Sequence, residues 1–181
     1  MLAVQRRLVS EAEFLALPES LDKVELLDGE VIVSPSPSYW HQEVLQRIVF
    51  ALLAWARRAA PSPEITVGQA PLDVRFGPGR ILQPDAFVLF GRVAADLVGP
   101  VDQTPAICIE VLSSNRAHDR VTKRFIYGAA GVRELWVVEP AGLVERWSGE
   151  GLGQVEELRG TLRTHLLPGF ELDLPLLFRV E

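Results

Sequence analysis

The stretch AICIEVL at 106–112, answered by ELWVVEP at 134–140, decides the fold. Each run is short, apolar and rich in β-branched residues, and Pro105 flanks the first, which favours buried strands. Between them, residues 116–130 read as a helix capped by Asn115 or Ser114 and stopped at Gly131. A strand–helix–strand unit of this kind predicts two parallel strands joined by a right-handed crossover. Working upstream, strands are expected at roughly 71–76 and 84–90, separated by Gly77-Pro78-Gly79, with a loop and a turn of helix near 93–98 before the first run. Val44, Leu45, Ile48, Val49, Leu52, Leu53 and Ala56 recur at helical spacing, so 39–59 is a helix with one apolar face, ended by Pro61 and Pro63. VELLDGEVIV at 24–33 sets Asp28-Gly29 between two apolar runs, a hairpin signal. Ser10 with Glu13 opens a short helix as a capping box, and the tail 142–180 is hairpin-like, turning at Gly149-Glu150-Gly151 and Pro168-Gly169. The sum is an α/β sandwich in one domain spanning 1–181.

Composition narrows the function. The chain has 181 residues, 48% hydrophobic and 23% charged, which fits a globular protein rather than a disordered or fibrous one. Net charge is −6, which excludes a broadly basic nucleic-acid coat but leaves room for a local basic cleft. One cysteine excludes an internal disulfide and any multi-cysteine metal site. The longest apolar run, Ile48 to Ala56, is too short for a bilayer core of ~30 Å. Glu11 and Glu13 interrupt the apolar stretch that an export signal after Arg6-Arg7 would need, so a soluble cytoplasmic protein is expected, with no membrane partner. Of the 18 basic residues only Lys23 and Lys123 are lysine. A lysine kept against an arginine background marks a place for a compact, rotatable ammonium, unless it is drift.

Two carboxylates stand where charge is expensive. Glu110 interrupts a buried run, and Asp85 follows Pro84 at the head of AFVLF. If their strands are neighbours, both could face one cavity and offer oxygen ligands to a hard cation such as Mg²⁺ or Mn²⁺. Otherwise Asp85 is a turn residue and Glu110 pairs with an arginine. On the following helix Asp119, Lys123 and Tyr127 share one side at i, i+4 and i+8. Such a lysine can orient a metal-bound water and such a tyrosine can donate to a phosphate oxygen, whereas an ordinary surface pair Asp119–Lys123 would contribute only ~0.3–0.5 kcal/mol. Arg116, Arg120 and Arg124 add local basic character. Cys108 reads as a buried apolar residue, His118 and His165 as surface, and the four tryptophans as core or interface anchors.

The runs PDAFVLF, IEVLSSN and GVRELWVVEP, with the spacing to Asp119, Lys123 and Tyr127, resemble the Uma-type (Uma-two) family of candidate bacterial endonucleases in the PD-(D/E)XK superfamily. VELLDGE at 24–30, SPSPSYWHQ at 34–42 and LPGFELDLPLLF at 167–178 extend the resemblance over nearly the whole chain. It implies a restriction-endonuclease-like core (helix, three strands, helix, strand), with a mixed sheet flanked by helices and extra N- and C-terminal hairpins. It also implies that Asp85 and Glu110 are metal ligands and that Lys123 is a migrated catalytic lysine, because Leu112 occupies the superfamily's usual lysine position. Tyr127 is similar to a phosphate-contacting tyrosine of relatives. A further carboxylate comes from Glu25, which matches the hairpin signature, or from Glu43, which matches the first-helix position; Glu25 is preferred. His41 matches the family pattern and would line the site, or else simply cap its helix.

The resemblance therefore implies a metal-dependent endonuclease that hydrolyses DNA phosphodiester bonds with Mg²⁺ or Mn²⁺, with Lys123 positioning the attacking water. The alternative is a non-catalytic nucleic-acid- or protein-binding module on a nuclease scaffold, which the net negative charge favours. A homodimer is expected, since an acidic chain of this size gains DNA-contact surface by pairing.

Overall fold

The computed structural model describes residues 8–58 apart from 19 and 21, then 64–112 and 121–180. The short helix α1 (Glu11–Leu15) carries the expected capping box: Ser10 Oγ accepts from the Glu13 amide and Glu13 answers the Ser10 amide. Next, β1 (Lys23–Leu27) and β2 (Glu30–Ser34) form the expected hairpin, with Asp28 and Gly29 both at positive φ. Ser38 Oγ accepts from the His41 amide at the start of α2 (Tyr39–Arg58). The buried apolar face of α2 is Val44, Leu45, Ile48, Leu52 and Trp55; of the expected stripe, Val49 and Ala56 are half-buried and Leu53 is exposed, and Trp55 takes its place.

Between the two long helical segments the chain departs from expectation at three strands. A strand absent from the sequence reading, β3 (Ile65–Gln69), follows α2 and pairs antiparallel with β6 (Ala86–Phe90). The expected strand at 71–76 shrinks to β4 (Val74–Arg75), and its partner is β5 (Arg80–Leu82), across the turn containing Gly77 and Gly79. Gly68 dilutes the strand signal of ITVGQ, whereas PLDVRF has apolar residues enough to mimic a longer strand. Gly68 is needed at its position: a Cβ there would lie 2.1 Å from the Phe87 ring across the ladder.

The rest follows the reading. β7 (Ile107–Val111) runs antiparallel to β6 and parallel to β8 (Glu134–Glu139). The described part of the connecting helix is α3 (Lys123–Ala129), preceded by a π-helical turn and ending before Gly131, where φ is +90°. The proposed caps at 114 and 115, with Arg116, His118, Asp119 and Arg120, lie outside the described residues. β9 (Leu143–Ser148) and β10 (Gln154–Leu158) form a hairpin around a 3-10 turn at Glu150–Leu152; β11 (Thr161–Arg163), β12 (Glu171–Asp173) and α4 (Leu174–Leu177) close the chain.

The main sheet is mixed, in the order β10-β9-β8-β7-β6-β3, and a second antiparallel sheet has the order β2-β1-β5-β4. Side chains alternate along β7 as a strand buried on both faces requires. Ile107, Ile109 and Val111 join α2 and the C-terminal segments in one core, while Cys108 and Leu112 join Ile126 and Tyr127 of α3 in the other. Helix, three strands of one sheet, helix and strand is thus the observed order of the core, with β3 rather than the 71–76 segment as the first strand. Among the described residues no helix is long and apolar enough to cross a membrane.

Candidate active site

Asp85 precedes β6 by one residue, and the β6–β7 ladder ends at the pair Ala86–Ile109. One step further along the same register places Asp85 opposite Glu110, on the face shared by Cys108 and Leu112. Because the ladder stops there, the Val111 amide is available and donates to Asp85 Oδ2 at 2.8 Å. The other contacts of Asp85 are His41 Nε2 at 3.1 Å from Oδ2 and Lys23 Nζ at 2.9 Å from Oδ1.

Glu110 sits in the strand with only 2% of its surface exposed. Tyr127 donates its hydroxyl to Oε1 at 2.5 Å, and Lys123 Nζ lies 3.3 Å from both carboxylate oxygens. The i, i+4 spacing on α3 brings both groups to one carboxylate. Lys123 also reaches Glu25 Oε1 at 3.0 Å, and Glu25 accepts the Gln83 amide at 2.8 Å. Lys23 closes the circuit: its ammonium lies 3.8 Å from Glu110 Oε2 as well as on Asp85. Two lysines from two different elements therefore tie three carboxylates together, and they are the only lysines in the chain.

This environment sets the protonation energetics. Burial pushes the Glu110 carboxyl up, the charges of Lys123 and Lys23 oppose it, and the balance stands at about 7. Burial also works to raise Asp85, but the His41 bond and the Lys23, His41 and Lys123 charges outweigh it, so Asp85 is held well below the usual carboxylate range. Desolvation alone would lower Lys23; Glu110, aided by Asp85 and Glu25, overcomes both that and Lys123, and the ammonium pKa rises. Burial, followed by the Glu110 charge, puts Tyr127 well above an ordinary phenol.

Asp85, Glu110, Val111, His41 and Lys23 line a cavity of about 430 Å³, walled by the Ser-Pro turn at 34–37, the first turns of α2 and the segment 69–71. The expected residues thus divide in two. Asp85, Glu110 and His41 face the cavity. Lys123, Glu25 and Tyr127 stand behind Glu110, each no more than 2% exposed, and do not line it. The expectation that Tyr127 contacts a phosphate is not what this position supports, because its hydroxyl is spent on Glu110 in a sealed setting. Glu43 is elsewhere, paired with Arg47, which also holds the carbonyls of Leu177 and Arg179. Of the two upstream carboxylates only Glu25 reaches the cluster. The sequence reading assigned Lys23 no role; the scarcity of lysine was the one signal that marked it.

A divalent cation can be tested against this donor set. Among the described residues no group of three or more His, Cys, Asp or Glu side chains is gathered to hold a metal. Mg²⁺, however, needs only one or two carboxylates, taking waters and substrate phosphates for the rest. The gap between Asp85 and Glu110 already holds a cation, the Lys23 ammonium, and two polar atoms of the cavity walls, His41 Nδ1 and Gln83 Oε1, are buried without a partner among the described residues. Two carboxylates around a cationic position, with spare polar capacity beside it, fit a hard ion.

Comparisons with known proteins agree with this architecture. The family model of Uma2, described as "Putative restriction endonuclease", matches residues 11–175. A crystal structure from Anabaena variabilis ATCC 29413, of "a putative nuclease belonging to DUF820", matches with a TM-score of 0.78 at 20% identity, covering 94% of this chain and 97% of that one. At that identity the likeness shows a shared fold. No curated protein matches the chain.

Proposed function

The chain belongs to the Uma2 family, and on that premise we propose that it is a divalent-metal-dependent endonuclease that hydrolyses DNA phosphodiester bonds in the cavity beside Asp85 and Glu110. The observation that carries the reading is the meeting of these two carboxylates, opposite one another on neighbouring strands, around a cation-filled gap open to a cavity. Asp85 and Glu110 would hold Mg²⁺ or Mn²⁺, with the Val111 carbonyl as a further oxygen ligand. When bound, the ion would supply Lewis acidity to the phosphate and lower the pKa of a water.

The chain's own residues do the remainder. His41 and the Val111 amide fix the Asp85 carboxylate, leaving its other oxygen toward Lys23. Tyr127 and Lys123 fix Glu110 from behind, and Glu25 in turn holds Lys123. Lys123 is therefore a positioning residue, and Lys23 is the lysine with access to the cavity. Pairing of two copies would extend the surface offered to DNA. The test is nicking of plasmid DNA with Mg²⁺ or Mn²⁺ by wild type and Asp85→Ala. Loss of nicking in the variant is expected, and equal nicking removes Asp85 from the mechanism.

A second reading has one observation in its favour. Lys23 fills the gap and offsets part of its charge without any metal, as a binding module that retained the scaffold but not the reaction would require.

A further inference from the structure

Lys23 occupies an unusual place for a lysine. It is the first residue of β1, and the β1–β5 ladder includes only Leu26 and Leu27, so the strand has left its neighbour before Lys23 is reached. Its side chain remains 20% exposed, against 1% for Lys123, and it lines the cavity. Its ammonium lies on Asp85 Oδ1 and within 3.8 Å of Glu110 Oε2, the two oxygens that would receive a cation. Two cations cannot share one gap at these distances, because like charges a few ångströms apart repel strongly between two carboxylates so deeply buried.

We propose that Lys23 is the internal counter-ion of the site: its ammonium fills the Asp85–Glu110 gap and offsets part of its negative charge when no metal is bound, and must leave the gap for a divalent cation to enter, so that this residue sets the metal affinity. The proposal rests on the metal-dependent reading above and names the residue that tunes it. Lysine suits the task better than arginine. A compact ammonium on a four-carbon stem can swing out into the cavity, whereas a planar guanidinium would lock onto the carboxylates in bidentate fashion.

The experiment is calorimetric titration of Mn²⁺ alone into the full chain, at mildly alkaline pH so that Glu110 is ionised throughout. Wild type, Lys23→Met, Lys23→Gln and Asp85→Asn are compared, the glutamine variant serving if the methionine variant does not fold. Removing the competing ammonium is expected to tighten Mn²⁺ binding on the order of tenfold, the scale of one charge-assisted hydrogen bond. Melting temperature gives a second readout. Without metal the Lys23 variants should melt below wild type, and saturating Mn²⁺ should raise them more than it raises wild type. Binding that disappears in Asp85→Asn yet is equal or weaker in the Lys23 variants overturns the proposal alone. Absence of Mn²⁺ binding in wild type and in both Lys23 variants overturns the metal-dependent reading and the proposal together.

Discussion

Lys123→Met is the sharpest perturbation of the buried cluster. The substitution keeps the volume of the stem and deletes an ammonium that lies 3.0 Å from Glu25 and 3.3 Å from Glu110, both almost fully buried. Removing one partner of a buried pair leaves uncompensated charge and costs about 3–5 kcal/mol. For a chain of this length each kcal/mol moves the melting temperature by about 2–4 °C, so a fall of roughly 6–20 °C is expected. The loss should depend on pH, with a definite sign. The Glu110 carboxyl is already raised in the folded protein to about 7 from an ordinary 4.5, so its contribution to stability is fully present below 4.5 and is lost as pH rises through 7. Lys123 is the first of the charges that hold this value down. Without it the folded value climbs further, and the variant loses more stability on the alkaline side than wild type does, by about 1.4 kcal/mol for each additional unit. Urea unfolding in the presence of a chelator, at about pH 4 and about pH 8, measures both quantities, since either value lies outside the wild-type transition. Adding Glu25→Gln should return part of the loss, because it removes one of the two abandoned charges. A penalty under ~1 kcal/mol, or one that is larger at the acidic pH, would refute the idea that Lys123 acts by neutralising these carboxylates.

Two further expectations concern neighbours of the cluster. The chain has two tyrosines, so in Tyr39→Phe the only phenol is Tyr127. Its pKa lies well above the ordinary ~10, and stability should therefore fall as pH rises from ~10 toward the folded value. Phenolate absorbance should appear together with loss of the near-ultraviolet circular dichroism of the fold; a phenolate step that precedes unfolding would contradict the buried Glu110 contact. Gly128→Ala tests the seating of α3. Alanine would ordinarily help a helix by about 1 kcal/mol, but here its Cβ would lie 2.6 Å from the Gly151 carbonyl oxygen, so a net loss of roughly 1–3 kcal/mol is expected from urea unfolding, and any stabilisation would show that the contact yields.

What could be read from the sequence was whatever local chemistry specifies. Asp28-Gly29 dictates its own turn, Ser10 and Glu13 cap one another, and the periodicity of 44–56 fixes which face of α2 is buried. The parallel pairing of β7 with β8 followed from the helical segment between them. Pairing between distant strands has no such local signature. β3 was overlooked because Gly68, a poor strand former, is present to admit the Phe87 ring, a demand that arises only after β3 and β6 meet. The site divides along the same line. Glu110 declared itself as a charge in an apolar run, and Lys123 and Tyr127 by their spacing on α3. Their placement behind Glu110, out of reach of the cavity, depends on where α3 packs. Lys23 lies in a hairpin that periodicity describes correctly and whose distance from Asp85 periodicity cannot supply.

The charge balance of the cluster bears on which of the two functional readings is the stronger. Leaving His41 aside, Glu25, Asp85 and Glu110 oppose Lys23 and Lys123, so the fully ionised cluster carries one surplus negative charge inside a chain that is itself acidic. A phosphodiester approaching Asp85 would meet like charge, and a module that bound nucleic acid here without a metal would work against its own field. A divalent cation in the gap changes the sign, and Lys23, once displaced, adds its ammonium to the cavity wall rather than to the carboxylates. On the metal-dependent reading, the carboxylates that would repel a phosphodiester are thus the groups that would make the site attractive to it once a cation had entered. That is the arrangement a metal-dependent nuclease needs, and it has no evident use in a passive binding surface. Glu110 lies near 7 for a different reason: burial penalises its charge by more than Lys123 and Lys23 offset, so that without a metal a proton competes for this carboxylate.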